Sequence, residues 1–119
     1  SGAVRWRYRS EHALRSQPVY HAGSVYCPIP GQGLVCLDAR TGRTRWSSAE
    51  AGGTVVAERN GMLVVHHGGD VLLIDARDGG MVERESIPDV AMIVAEGFTD
   101  GALYVVSRGG SVSRFIPRR

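Results

Sequence analysis

With 119 residues, the chain is long enough to bury one modest core and too short for two comfortable ones. Its 43% apolar content, 16 glycines and five prolines describe a globular backbone that turns often, which favours strands over helices. A formal charge of +2, with arginine as the sole basic residue type apart from histidine, builds no field to hold nucleic acid or an anionic membrane, and no apolar run reaches the roughly 18 residues of a membrane span.

The first element falls at residues 4–9. Arg5, Arg7 and Arg9 lie on one face of an extended segment there, and Trp6 and Tyr8 on the other. The alternation predicts an outer edge strand, with arginine discouraging edge-to-edge pairing. No signal-peptide pattern opens the chain. Ser1-Gly2 is a pair of the kind that tag removal leaves, an indication that the sequence is a piece of something longer.

Three copies of one unit follow. Gly23 begins Gly-Ser-Val-Tyr-Cys-Pro, Gly61 begins Gly-Met-Leu-Val-Val-His and Gly101 begins Gly-Ala-Leu-Tyr-Val-Val, with starts 38 and 40 residues apart. A period near forty marks a repeat architecture. The apolar runs are short, rich in Val, Leu, Ile and Tyr, and bounded by glycine turns, so they read as strands. Strand A is predicted at 16–21, 54–59 and 91–96, strand B at 24–29, 62–67 and 102–107, and strand C at 33–38, 71–76 and 110–116. The B and C runs are apolar at consecutive positions, which implies burial on both faces. Asp38-Ala-Arg-Thr-Gly42 and Asp75-Ala-Arg-Asp-Gly79 then turn the chain, because an aspartate accepts from backbone N–H groups just ahead and glycine supplies the positive φ that ends such a turn. Strand D follows at 43–48 and 81–86. The third copy lacks both the turn and a D strand. Counting 4–9 as a further D strand, since Trp6 stands 40 residues before Trp46, the order is D, ABCD, ABCD, ABC: twelve strands.

The segment from Gly23 to Trp46 closely resembles the repeat of the quinoprotein-like (PQQ-like) β-propellers, a family that includes quinoprotein alcohol dehydrogenases, an outer-membrane assembly lipoprotein and propeller sensor domains of bacterial kinases. The resemblance implies an all-β fold of four-stranded antiparallel blades, three per chain over residues 1–119. It also implies that Trp46, and by analogy Trp6, packs between neighbouring blades against the glycine turn. The second copy departs from the pattern, with Glu83 or Arg84 where the family has tryptophan. Three blades do not close a ring, since propellers use roughly four to eight. Either a second copy completes a six-bladed ring, each chain giving its opening strand to the other's last blade, or the chain is part of a longer propeller.

Candidate sites divide into structural and chemical readings. Asp38, Gly42, Asp75 and Gly79 recur at repeat positions and read as turn formers. Cys27 and Cys36 flank a turn at Gly31-Gln32 that, at two residues, would set them directly opposite; two reduced, buried thiols are favoured over a disulfide. His66 and His67 are adjacent on a strand, face opposite ways and do not share a metal; with Asp70 they mark a wet loop end. No zinc signature, nucleophile elbow or phosphate loop is present. The calcium site, catalytic aspartate and cysteine ring of the quinone-dependent dehydrogenases have no counterpart here, so no cofactor is expected. Arg5, Arg7, Arg9, Arg43, Arg45, Arg118 and Arg119 would give a basic surface for an acidic partner, with a solvated edge as the plainer reading. The expected function is a non-catalytic binding or scaffolding module for a protein or extended ligand, with no nucleic acid and no membrane insertion; the alternatives are a quinoprotein oxidoreductase fragment and a signalling sensor domain. The compartment stays open, since two cysteines do not require an oxidising one.

Overall fold

A computed structural model describes residues 2–10 and 17–116, and Arg118 and Arg119 fall outside them, as does residue 16 of the first predicted strand. Eleven strands form three antiparallel sheets. The first holds β1 (Val19–His21), β2 (Ser24–Ile29), β3 (Gly33–Asp38) and β4 (Thr44–Ser48). In the second are β5 (Thr54–Arg59), β6 (Met62–His67), β7 (Asp70–Asp75) and β8 (Met81–Ser86). The third has only β9 (Val90–Ala95), β10 (Leu103–Ser107) and β11 (Val112–Phe115). Each sheet is a simple meander in chain order, so each repeat is one blade. Among the strands, β5 approaches both neighbouring blades closely, at β2 and at β9.

The first turn of each complete blade shows why the repeat begins where it does. Ala22-Gly23 and Asn60-Gly61 both have positive φ at both positions, 49° and 82° in one and 54° and 79° in the other. That is the two-residue turn whose twist matches a hairpin, and Asn-Gly is its best sequence. Ala22 holds the same conformation without asparagine's local hydrogen bonding, at a cost of roughly 1–2 kcal/mol.

Two apolar layers result from strict alternation. Tyr26, Leu34, Cys36 and Trp46 of the first blade meet Val55, Leu63, Val65, Leu72 and Ile74 of the second, all buried. Each large side chain taken fully out of water there contributes roughly 1.5–3 kcal/mol. On the other face of the first blade, Cys27, Ile29, Val35 and Leu37 form a second cluster, covered by Trp6 and Tyr8. The second blade is likewise buried on its far side at Ala57 and Val64, and the third blade buries Val90 and Ile93. The third blade's far side is bare: every residue of β11 is exposed, and Met92 and Val94 are 53% and 46% exposed.

Residues 4–9 depart from the expectation of a strand. They carry no ladder to any of the three sheets, leaving eleven strands among the described residues where twelve were predicted. The C strands of the first two blades are already paired on their outer edges by β4 and β8, and the free edge of β11 lies two blades away.

Candidate interaction site

The turns, the N-terminal segment and the unclosed third blade define the functional geometry. In the first blade Asp38 Oδ1 accepts from the N–H groups of Arg40 (2.8 Å) and Thr41 (3.2 Å), and the Gly42 N–H donates to the Asp38 carbonyl at 2.8 Å. The second blade repeats this: Asp75 Oδ1 accepts from Arg77 N–H at 2.8 Å, and Gly79 N–H donates to the Asp75 carbonyl at 2.8 Å. The Arg45 side chain and then the Arg40 N–H pull the Asp38 carboxyl down to about 2. Asp75 is lowered as well, chiefly by the Arg77 side chain.

These turns receive the two tryptophans. Trp46 Nε1 donates to the Ala76 carbonyl at 3.0 Å, and a Cβ added to Gly79 would clash with the indole ring at 2.4 Å. Trp6 Nε1 donates to the Ala39 carbonyl at 2.8 Å, and a Cβ at Gly42 would meet its ring in the same way. Trp6 therefore stands on the first blade as Trp46 stands on the second. Residues 4–9 lie where the outer strand of a preceding blade would lie.

The third join is made differently. Glu83 pairs with Leu73 where the first blade pairs Trp46 with Cys36, and the third blade has no Asp-Ala-Arg-x-Gly turn. At this join the Arg59 guanidinium, at the end of β5, donates to the carbonyls of Gly97 (2.9 Å), Phe98, Asp100 (2.9 Å) and Gly101 (3.2 Å). The Glu58 N–H adds a bond to the Phe98 carbonyl at 2.7 Å. His21 of the first blade reaches the same point, 3.3 Å from Glu58 and tilted at 44° against the Phe98 ring, with ring centres 4.9 Å apart. Nothing in the sequence flagged Arg59, His21, Glu58 or Phe98. The available signal is the β9–β10 connection, which runs over seven residues, 96–102, where the other two blades use two.

Other predicted residues resolve as follows. The turn between β2 and β3 has three residues, since Ile29 pairs with Gly33. Cys27 therefore opposes Val35 while Cys36 opposes Tyr26, which puts the thiols on opposite faces and overturns the expected direct opposition. Both are free and buried, and burial pushes both thiols up. Arg45 donates to Asp38 (2.8 Å) and to the Ser24 hydroxyl (2.7 Å) while its side chain stays 44% exposed. Arg5, Arg7, Arg9 and Arg43 are exposed. Asp70 pairs with Arg84. His66 and His67 do not join a metal-holding cluster; among the described residues no three His, Cys, Asp or Glu side chains converge.

Of the clefts that open among the described residues, two have largely apolar walls. One of about 430 Å³ lies at the end carrying the β2–β3 turn and the β4–β5 connection, lined by Pro28, Ile29, Pro30, Ala49, Gly53 and His67. The other, about 470 Å³, lies between residues 6–10 and the outer face of the first blade, with Trp6, Tyr8, Val25, Cys27, Ile29 and Leu37 among its walls. Both have a largely apolar lining.

The family profile described as "Outer membrane protein assembly factor BamB" matches residues 1–91. Among solved structures, BamB from Moraxella catarrhalis superposes with a TM-score of 0.64 at 19% identity, over 92% of this chain and 35% of that one. The computationally designed Ika4 protein gives 0.61 at 14% identity, over 84% and 64%. The N-terminal domain of Nup159 gives 0.57 at 20% identity, over 87% and 27%. At these identities the likeness is one of fold, and the chain spans about a third of the Moraxella protein. No curated protein matches the sequence.

Proposed function

The chain belongs to the PQQ-like repeat propeller family, whose profile carries the description outer membrane protein assembly factor BamB, and on that premise we propose that it is a non-catalytic interaction module that recognises a protein segment or an extended ligand. The observation that carries this reading is how the acidic groups are used. Asp38, Asp75 and Glu96 are all shifted downward, away from neutrality, by bonds that hold turns and connections together. A general acid or base works best when its pKa lies near the operating pH, so these carboxylates serve architecture. The apolar cleft around Ile29 and Ala49, walled by backbone at Gly52 and Gly53, is the surface a partner segment would meet. A second copy of the chain is the other partner in this reading, supplying the blades that close the ring.

Titration with a synthetic peptide of alternating apolar and polar residues, followed by NMR, tests the binding reading. Resonances of residues 28–33 and 49–53 should shift, and Ala49→Arg should abolish the shifts. Silence of both segments at millimolar peptide would remove this cleft as the binding surface. Quinone- and calcium-dependent oxidation of an alcohol by the chain would overturn the non-catalytic assignment.

A further inference from the structure

We propose that Asn60 is a site of spontaneous deamidation, and that the acid formed there loosens the hold of the second blade on the third. It is the only asparagine in the chain, and glycine follows it. Both residues are exposed, at the turn that joins β5 to β6.

The turn leaves both reacting groups unoccupied. Asn60 and Gly61 take φ of 54° and 79°, and apart from the chain neighbours of Gly61 no atom comes within 4 Å of the place a Cβ would take there. No side chain therefore screens the Gly61 nitrogen. Among the described residues neither the Asn60 side chain nor the Gly61 N–H makes a hydrogen bond; Gly61 is held through its carbonyl, which accepts from the Ala76 N–H at 3.0 Å. The other turns of the first two blades lack one part or the other. Ala22-Gly23 has the same backbone conformation but no amide to lose. Asp78 precedes a glycine too, yet the Gly79 N–H is engaged by the Asp75 carbonyl at 2.8 Å.

The chemistry needs only water. The Gly61 nitrogen gives its proton to a solvent base and attacks Asn60 Cγ; the N–Cγ bond forms, the Cγ–Nδ2 bond breaks, and ammonia leaves with a proton taken from water. The product is a five-membered cyclic imide. Water then adds to one of its two carbonyls. Opening at Cγ restores the chain with an aspartyl side chain, and opening at the main-chain carbonyl leaves a β-aspartyl link with one more methylene in the backbone.

Either product changes the joint beside it. Arg59, the next residue back, binds the third blade through four carbonyls, and its Nε is buried without a partner among the described residues. Arg59 and Asn60 line one cleft of about 290 Å³ with Thr99, Asp100 and Gly101. A carboxylate at position 60 enters that cleft as a charged acceptor, and charge-assisted bonds are stronger than those to neutral carbonyls. The guanidinium is drawn from residues 97–101. The β-aspartyl form adds a second effect, because a longer backbone no longer fits a two-residue turn whose twist matches its strands.

Ageing of the whole chain in mild alkali, followed by tryptic digestion and mass spectrometry, tests this. Peptide 60–77 should gain the mass that separates an acid from an amide and split into two products of equal mass, one of them a substrate for isoaspartyl methyltransferase. Its rate in the folded chain should lie within about a hundredfold of that in a synthetic peptide of residues 57–64, the slowing that one or two turn hydrogen bonds impose. Slower conversion than that would overturn the site. Asn60→Gly keeps the positive φ and has no amide, so its peptide should hold its mass. Hydrogen exchange in β9 and β10 should quicken in the aged chain and stay constant in aged Asn60→Gly. Unchanged exchange once peptide 60–77 has converted would overturn the effect on the third blade.

Discussion

Between the first two blades, Tyr26, Leu34, Cys36 and Trp46 meet five aliphatic side chains of the facing sheet; between the second and third, a single arginine fork binds four carbonyls of one loop. The first join is hydrophobic, extends along the whole sheet and is finished by an indole in a glycine turn. The second buries fewer and smaller apolar side chains, Ala57, Val64, Val90 and Ile93 among them, and adds its polar bonds at one end. Glu83 stands where the first blade has its tryptophan, and Ile116 stands where the first two blades have the aspartate of the receiving turn, so the two halves of that contact are changed together. What the difference teaches is that a repeat can keep its strands while replacing the chemistry of its joints.

Breaking the first joint should have the larger effect. Trp46→Ala removes a buried indole and leaves the Ala76 carbonyl without its donor, and should cost about 3–5 kcal/mol in urea denaturation. The complementary change sharpens the comparison: Glu83→Trp should move stability by no more than about 0.5 kcal/mol, since Ile116 stands in place of the aspartate that builds the receiving turn in the first two blades. A gain of several kcal/mol from Glu83→Trp would show that the turn is dispensable.

Breaking the second joint should act locally. Arg59→Met keeps the length of the side chain and removes its bonds to residues 97–101, at a cost of about 1–3 kcal/mol. Hydrogen exchange should quicken in β9 and β10 while β2 and β3 stay protected. Equal quickening in all three blades would mean that the stack unfolds as one unit and the joints are not separable.

The smallest effect is the acid dependence. Asp38 has a folded pKa of about 2, below the roughly 3.9 of an unfolded aspartate, so its contribution is fully present above pH about 4 and is lost as pH falls through about 2. Asp75 and Glu96 are shifted the same way, Glu96 mainly by the Tyr104 hydroxyl and the Ala102 N–H. Thermal melts should therefore decline between pH 4 and 2, and Asp38→Asn should make that decline shallower. An unchanged slope would place the acid sensitivity in other groups.

Much of this architecture was legible because its determinants are local. Gly23 and Gly61 mark hairpin turns that need positive φ, the Asp-Ala-Arg turns announce themselves by residue type, and the apolar runs of β2, β3, β6 and β7 fall within a residue of their expected bounds. Residues 4–9 were legible as an alternating segment but not as unpaired, because pairing depends on which edge is free elsewhere. The facing of Cys27 and Cys36 turned on one residue of loop length at 30–32, enough to flip a side chain to the other face. Arg59 was illegible for a deeper reason: its partners are main-chain carbonyls some forty residues away, and a carbonyl leaves no trace in residue identity.

The placing of the two indoles has a spectroscopic consequence. Both lie in or against the first blade, one on its own turn and one on its neighbour's, and the third blade contains none. Intrinsic emission excited in the tryptophan band will report on the first blade and its contact with the second, and will be nearly blind to melting of residues 90–115. Far-ultraviolet circular dichroism weighs all eleven strands alike, so a gap between the two melting curves would measure directly how independently the last sheet comes apart.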